Sequence, residues 1–406
     1  MEGYNKKVIM SYWTICRMKT TKKIYVKVSI IFLLGGILLF SSCEKEENQK
    51  IEANRKTLFM YLPWSSNLTN YFYNNISDLE KCITKIGLNN EKVIVFISTG
   101  STEAMMFEIV SSHGRCKREI LKKYKSPPFT TIDGITAILN DVKAFAPASV
   151  YTMIIGCHGM GWLPVYEMKV RSAPHMKMHW EYQGVPLTRY FGGLTAEYQT
   201  DIKSLASGIA NAGMKMEYIL FDDCYMSSIE VAYELKDVTK YLIGSTSEMM
   251  AYGMPYAAIG EYLLGNPDYQ SGCEEFYNFY STYEIMPCGT LAVTDCSDII
   301  KSINSKYSFD KSLRGTIQRL DGYTPVIFYD FADYITSLCN DPILLSQFRE
   351  QLNHLVPYKT HTKNFYTMAK GIIPINTFSG ITTSDPSDNP MTVLKENTLW
   401  YKAAHN

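Results

Sequence analysis

The sequence lacks the markers of several large protein classes. It has 40 Lys and Arg against 40 Asp and Glu, so no excess of basic charge points to nucleic acid as a partner. None of its ten cysteines form a CxxC pair, which argues against a zinc site built on thiolates. No glycine loop of either usual phosphate-binding type occurs, and no internal repeat is present. What remains is an ordinary globular composition, 46% hydrophobic and 20% charged, in a chain of 406 residues that can bury a large core.

The N-terminus is a targeting segment rather than part of a fold. A basic stretch at 19–27 precedes the uncharged apolar run 28–40, which is short for a membrane span of about 20 residues. Two serines and Cys43 follow directly, and this order resembles a bacterial lipoprotein signal in which the cysteine is lipidated. We therefore predict a signal peptide over 1–42, a polar tether over 43–56 and a lipid anchor in the bacterial outer membrane. A single uncleaved anchoring helix is the alternative.

Removal of that segment changes the charge balance. Residues 1–42 hold seven of the 40 Lys and Arg and one of the 40 Asp and Glu, which leaves 33 basic against 39 acidic residues, a formal charge of −6. The acidic cluster Glu44, Glu46 and Glu47 resembles the tag that sends some bacterial lipoproteins to the cell surface. Exposure on the cell surface is the localisation that this cluster favours.

Predicted strands alternate with predicted helices between residues 57 and 265. Apolar runs predict buried strands at 57–63, 92–98 and 104–110 and in the segments leading to residues 158 and 224, while helical spacing predicts helices at 67–87, 131–145 and 201–212. The alternation favours an α/β fold with a mostly parallel sheet covered by helices on both faces. From residue 266 onward the pattern is more helical. This C-terminal region, 266–406, is expected to complete the fold.

Two of these strands end in reactive residues. One delivers His158, followed by Gly159, and the other delivers Cys224, followed by a helical pattern from Met226. Carboxyl ends of parallel strands are where open α/β sheets place their sites. A cysteine beside an imidazole forms a thiolate nucleophile with its base, and a helix N-terminus near the sulfur would favour the thiolate further. The amide of Gly159 is the predicted donor of an oxyanion hole.

Plainer interpretations exist for each residue. A lone cysteine after a strand is usually a buried structural residue, and a lone histidine is usually a satisfied polar group. Cys157 is a rival nucleophile, but adjacent residues of an extended strand point to opposite faces. His175 and His179 have four-residue spacing without a recognisable third ligand, so no metal site is predicted. Two strand-end signals together favour catalysis over these alternatives.

Four segments carry a resemblance to a known family. CHGMGW at 157–162, FDDCYMSSIEVAYEL at 221–235, GSTSE at 244–248 and FSGI at 378–381 together resemble the clostripain family of cysteine peptidases. The resemblance implies a caspase-like catalytic domain over 57–265, with His158 as general base and Cys224 as nucleophile. It also implies cleavage of proteins or peptides after Arg or Lys.

The resemblance extends to specificity. The family's aspartate two residues before the nucleophile matches Asp222, and a buried carboxylate at a pocket floor selects a cationic side chain. Period-two alternation places Asp222 on the same face of the strand as Cys224. Helix capping is the alternative role, for which Asp223 is the better candidate. Glu248 is a candidate second carboxylate of the pocket.

Activation by cleavage is also implied. Family members are commonly cut between the histidine and cysteine segments, and Lys169, Arg171 and Lys177 lie in the long irregular stretch 163–194. An ordinary exposed loop is the alternative. Some members need calcium, but no EF-hand-like loop occurs, so calcium rests on the resemblance alone and no other cofactor is expected.

Two other function classes stay open at this point. A non-catalytic, peptide-binding lipoprotein could keep the same fold. A different thiol enzyme, such as an amidase or a transpeptidase, could use the same pair of residues.

Overall fold

The computed structural model describes residues 54–165, 198–298 and 315–405, which belong to one compact unit. The strands of these residues are β1 Asn54–Leu62, β2 Glu91–Ser98, β3 Glu103–Ser112, β4 Arg115–Lys125, β5 Ala148–Ile155, β6 Met216–Phe221, β7 Thr239–Gly244, β8 Thr290–Asp295, β9 Tyr329–Asp330, β10 Tyr358–His361, β11 Asn364–Thr367, β12 Gly371–Pro374 and β13 Thr382–Thr383. The helices are α1 Thr69–Ile86, α2 Ile132–Phe145, α3 Ile202–Asn211, α4 Ile229–Leu235, α5 Tyr256–Leu263, α6 Tyr269–Ser281, α7 Phe331–Leu338, α8 Pro342–Leu355 and α9 Leu399–His405.

The main sheet has nine strands in the order β10-β8-β7-β6-β5-β1-β2-β3-β4. The central five, from β7 to β2, run parallel, and the strands on both flanks pair antiparallel. The central strands are apolar along nearly their whole length because helices cover both faces. The predicted α/β fold is confirmed, with the parallel strands confined to the centre of the sheet.

Two helical layers enclose this sheet. Helices α1, α5 and α6 pack against one another, and α2 with α3 and α4 with α9 form further contacts. Helix α1 buries Phe72, Ile76, Leu79 and Ile83, the apolar face that helical spacing predicts. Helix α8 spans Pro342–Leu355 in the C-terminal region, where the sequence pattern is more helical. Helical periodicity therefore identified several of the covering helices, whereas α5 was not predicted.

Strand β4 was not predicted from the sequence. Its eleven residues are mostly charged, and its pairing with β3 places it at the edge of the sheet. Arg118 forms an ion pair with Glu80 of α1, with Nε to Oε1 at 2.7 Å. Lysine and arginine on an edge strand oppose edge-to-edge association with another chain. The same charges remove the apolar alternation by which a strand is recognised in sequence.

The helix after Cys224 begins later than predicted. Helix α4 starts at Ile229, and the Ser228 side chain caps it by accepting the Val231 N–H at 3.2 Å. The predicted start at Met226 is wrong because the intervening residues pair with a neighbouring segment instead. The amides of Tyr225 and Ser227 donate to the carbonyls of Ser247 and Ser245. The helix consequently begins five residues after Cys224 instead of two.

The C-terminal region contacts the Cys224 turn, the segment 222–228 between β6 and α4. The Thr382 amide donates to the Ser227 carbonyl at 3.0 Å, and the Ser227 hydroxyl donates to the Gly380 carbonyl at 2.8 Å. Strands β8 and β10 extend the main sheet on the β7 side. Residues after 265 thus contribute both to the sheet and to the support of the Cys224 turn. The domain boundaries predicted from the sequence stay predictions.

Outside the active-site region, cysteines behave as small apolar residues. Cys82, Cys116, Cys273, Cys288, Cys296 and Cys339 are free thiols. Burial raises the pKa of Cys273 and of Cys296 to about 12, which keeps both protonated at neutral pH. In the part of the chain that the structure describes, no helix combines the length and hydropathy of a membrane span. The predicted signal peptide and Cys43 lie outside the described residues.

Candidate active site

Three neighbouring strands deliver polar side chains to one edge of the sheet. Strands β6, β5 and β1 are adjacent and parallel, so their carboxyl ends meet at the same edge. Cys224 follows the end of β6, His158 follows the end of β5, and Asn67 follows the end of β1. The side chains of Cys224 and His158 are buried. The structure therefore brings to one edge the two strand ends that the sequence analysis singled out.

The loops after β5 and β6 touch through their backbones. A Cβ atom built on Gly159 would lie 2.3 Å from the Cys224 carbonyl oxygen and 2.9 Å from its amide nitrogen. A Cβ on Gly161, which has φ +60°, would lie 2.9 Å from the carbonyl oxygen of Tyr225. No side chain fits at either position without displacement of the facing backbone. Glycine is needed at 159 for this close approach rather than for an unusual φ.

A carboxylate fastens the two loops to each other. Asp223 Oδ1 accepts the Cys157 amide at 2.6 Å, and Oδ2 lies 3.4 Å from the Cys157 sulfur. The sequence favoured Asp223 over Asp222 as the cap of the following helix. That prediction is wrong, because Ser228 caps α4. An adjacent negative charge disfavours a thiolate. Asp223 therefore places a carboxylate beside the Cys157 sulfur, and the choice of Cys224 as nucleophile stays a prediction.

The Cys224 sulfur receives a backbone hydrogen bond. The Met249 amide donates to Sγ at 3.1 Å, and the Met249 carbonyl oxygen lies 3.7 Å from the same atom. An N–H aimed at the sulfur stabilises the thiolate more than the thiol. Met249 belongs to the loop after β7, the next strand of the sheet. The site is thus assembled from four consecutive parallel strands.

His158 is held by a residue that sequence analysis missed. Its Nε2 lies 2.8 Å from Oδ1 of Asn67. With the ring proton on Nε2 donated to the amide oxygen, Nδ1 carries the lone pair and can accept a proton. Asn67 lies in the turn that follows an apolar strand, five residues after the end of β1. Knowledge that β1 adjoins β5 would have been needed to select it.

Tyr225, directly after the candidate nucleophile, has an unusual backbone. Its φ is +61°, a region that residues with a Cβ seldom occupy. Its ring stacks on Phe328 at 4.8 Å, and its hydroxyl donates to Glu248 Oε1 at 2.9 Å. Burial, and next the Glu248 carboxylate, raise the pKa of this phenol well above its usual value, so it stays a donor. Strain of this kind is retained where the surroundings enforce it, often at functional sites.

The two predicted pocket carboxylates are both buried and hydrogen-bonded. Asp222 Oδ1 accepts the Met254 amide at 2.8 Å, and Oδ2 accepts the Tyr256 hydroxyl at 3.0 Å. Glu248 accepts the Met368 amide through Oε2 at 3.0 Å in addition to the Tyr225 hydroxyl. Glu248 therefore links the Cys224 turn to the C-terminal region. Its contact with substrate stays a prediction.

Other predicted positions fall outside the described residues: Cys43, Lys169, Arg171, Lys177, His175 and His179. Among the described residues, no group of three or more His, Cys, Asp or Glu side chains is placed to hold a metal ion. Calcium stays a prediction from the family resemblance alone.

The clostripain family model matches residues 60–343. A secreted C11 cysteine protease from Bacteroides thetaiotaomicron is 56% identical, with 87% of this chain and 99% of that chain covered and a TM-score of 0.79. A clostripain from the same organism, in complex with the peptide inhibitor BTN-VLTK-AOMK, is 61% identical, with 53% of this chain and 99% of that chain covered and a TM-score of 0.51. An inactive zymogen C11 protease from Parabacteroides distasonis, 22% identical, shares the fold over 88% of this chain and all of that chain, with a TM-score of 0.70. No curated protein matches the chain.

Proposed function

Because the chain belongs to the clostripain family of cysteine peptidases, we propose that it is an endopeptidase that cleaves after Arg or Lys, with Cys224 as nucleophile and His158 as general base. The observation that carries the pairing is the close backbone approach of Gly159 to Cys224, where a Cβ built on the glycine would lie only 2.3 Å from the Cys224 carbonyl oxygen. This contact brings together the two loops that carry His158 and Cys224, which supports the pairing.

The reaction follows from these groups. His158 takes the proton from the Cys224 sulfur, and the thiolate attacks the scissile carbonyl carbon, forming a C–S bond and an oxyanion. The amide of Gly159 is the candidate donor to that oxyanion. Collapse of the intermediate breaks the C–N bond while His158 returns the proton to the leaving amine. Water, deprotonated by His158, then hydrolyses the thioester and frees Cys224.

Asp222 is the proposed selector of a cationic side chain. Its carboxylate is buried and accepts the Met254 amide and the Tyr256 hydroxyl. An incoming guanidinium or ammonium would pair with this charge and offset the cost of its burial. The clostripain of Bacteroides thetaiotaomicron supports this choice, because the peptide of its inhibitor, VLTK, ends in lysine.

A peptide panel that varies only the residue before the cut tests the proposal. We expect cleavage after Arg and Lys, no cleavage after Ala or Asp, and complete loss in Cys224→Ala and His158→Ala. Mass spectrometry after alkylation should place the label of the active enzyme on Cys224 and not on Cys157. Binding of peptides without turnover would favour a non-catalytic lipoprotein, and transfer of the acyl group to added amines would favour a transpeptidase.

Export and tethering form a second part of the proposal. The order of basic, apolar and Ser-Ser-Cys segments supports lipidation of Cys43 in the outer membrane, and a relative 56% identical is described as secreted. Cys43→Ala should release the protein into the soluble fraction or leave it unprocessed. A mature N-terminus at another residue, without acyl chains, would refute the lipoprotein assignment.

Self-cleavage is the third part. Basic residues between the two catalytic segments, Lys169, Arg171 and Lys177, match the proposed specificity. Purified enzyme should consist of two fragments, and Cys224→Ala should remain a single chain. A fully active chain that stays intact would show that no cut is required.

A further inference from the structure

We infer that Asn67 is a positioning residue that completes a Cys224–His158–Asn67 relay across three neighbouring strands. The inference deepens the proposed function, since it assigns a partner to the proposed base. The sheet order β6-β5-β1 places the nucleophile, the base and the amide in that sequence along the sheet edge. The Nε2-to-Oδ1 distance of 2.8 Å is that of a hydrogen bond.

The backbone that carries Asn67 is fixed independently of the histidine. Asn67 lies in the single 3₁₀ turn Ser66–Leu68 between β1 and α1. The Leu68 amide donates to the Ser65 carbonyl at 3.2 Å, and the Ser65 hydroxyl donates to the Pro63 carbonyl at 3.0 Å. Leu68 is fully buried, whereas Asn67 itself is exposed. The turn is therefore anchored on one side of Asn67, which is exposed although the imidazole that it contacts is buried.

The chemical consequence concerns the tautomer of His158. An amide oxygen that accepts from Nε2 keeps the proton on that nitrogen, which leaves Nδ1 as the basic atom. It also restricts rotation of the ring about χ2, so that Nδ1 keeps one direction. When the ring takes the cysteine proton, the same oxygen accepts a stronger, charge-assisted hydrogen bond. A neutral amide stabilises the imidazolium less than a carboxylate would, so His158 remains able to give the proton to the leaving amine.

The test uses two substitutions at one exposed position. Asn67→Ala removes the acceptor and should lower kcat by about 10- to 100-fold, a part of the contribution of a well-placed general base, with KM changed less than about twofold. Asn67→Asp keeps an acceptor and should restore most of kcat. The added negative charge should also raise the pKa of His158, so the limb of the pH profile that this residue governs should move to higher pH.

Controls separate this inference from the proposed function. Asn70→Ala changes an exposed asparagine on the first turn of α1 and should leave kcat and the melting temperature unchanged. If Cys224→Ala or His158→Ala stays active, the proposed function fails. If those variants are inactive but Asn67→Ala matches the wild type, only the relay fails. Loss of kcat in Asn67→Ala that Asn67→Asp does not restore, in a normally folded protein, would also overturn the relay.

Discussion

Gly159→Ala is the substitution that tests the geometry of the site most directly. Its new methyl group would lie 2.3 Å from the Cys224 carbonyl oxygen and 2.8 Å from the Asp223 Cβ. An ordinary contact of this kind is 3.4–4 Å, so the two loops must separate by about 1 Å. Most of this displacement has to be taken up by backbone, because the facing atoms belong to the turn that carries the nucleophile.

The expected effect on catalysis exceeds the effect on folding. A misplacement of about 1 Å between reacting groups can lower the rate by about 10²-fold, which corresponds to about 2.7 kcal/mol of transition-state stabilisation. Insertion of a methyl group into a tightly packed region costs about 1–3 kcal/mol of stability. A domain with stability in the usual range of about 5–15 kcal/mol remains folded after this loss.

The assay compares kcat/KM on a peptide with Arg before the cut, together with thermal unfolding. Gly100→Ala is the matched control, because a Cβ at that position has no atom within 4 Å and its φ needs no glycine. We expect the control to match the wild type in both measurements. A folded Gly159→Ala enzyme with activity within twofold of the wild type would refute the backbone contact as the element that aligns the base and the nucleophile.

Three further outcomes follow from the structure. Asp222→Asn should weaken cleavage after Arg by about 2–5 kcal/mol of transition-state binding, the range for loss of one partner of a buried charge pair. If the wild type cleaves equally well after Ala and Arg, the assignment of Asp222 to the specificity pocket is wrong. Burial lowers the pKa of Lys56 to about 8 despite the nearby Glu91 carboxylate. Above that pH the unfolded chain binds more protons than the folded chain, so stability should rise with pH. As the pH rises from 8 to 10, the free energy of unfolding of the wild type, measured in urea, should increase by about 1–3 kcal/mol relative to that of Lys56→Met. A difference between the two proteins that does not change with pH would contradict the shifted pKa. Ser228→Ala removes the cap of α4 and should lower the free energy of unfolding by about 1 kcal/mol, measured by the same method; no change would mean that the cap is dispensable.

Sequence patterns were sufficient to locate the ends of the two strands that lead to His158 and Cys224. Buried parallel strands consist of continuous apolar residues, so an abrupt change to His158 or Cys224 marks their carboxyl ends. Which residues then meet depends on strand order, and strand order is set by tertiary packing. Asn67 could not be selected for that reason, although it follows an equally clear strand.

The start of α4 and strand β4 were missed because another sequence pattern outweighed the local one. Ser228 is a favoured N-cap residue, yet the apolar spacing from Met226 onward suggested an earlier helix start. The amides of Tyr225 and Ser227 bond to the segment after β7, which keeps the turn extended until Ser228. In β4 the charges of an edge strand replaced the alternation that identifies strands.

The contacts around Tyr225 and Ser227 have a consequence for the order in which the site is assembled. The supports of the nucleophile's turn come from residues that are synthesised much later: Phe328, Met368 and Thr382. A growing chain that has reached the end of α4 contains both proposed catalytic residues but none of these supports. The turn that carries Cys224 therefore acquires its full set of supporting contacts only after these later segments have been synthesised.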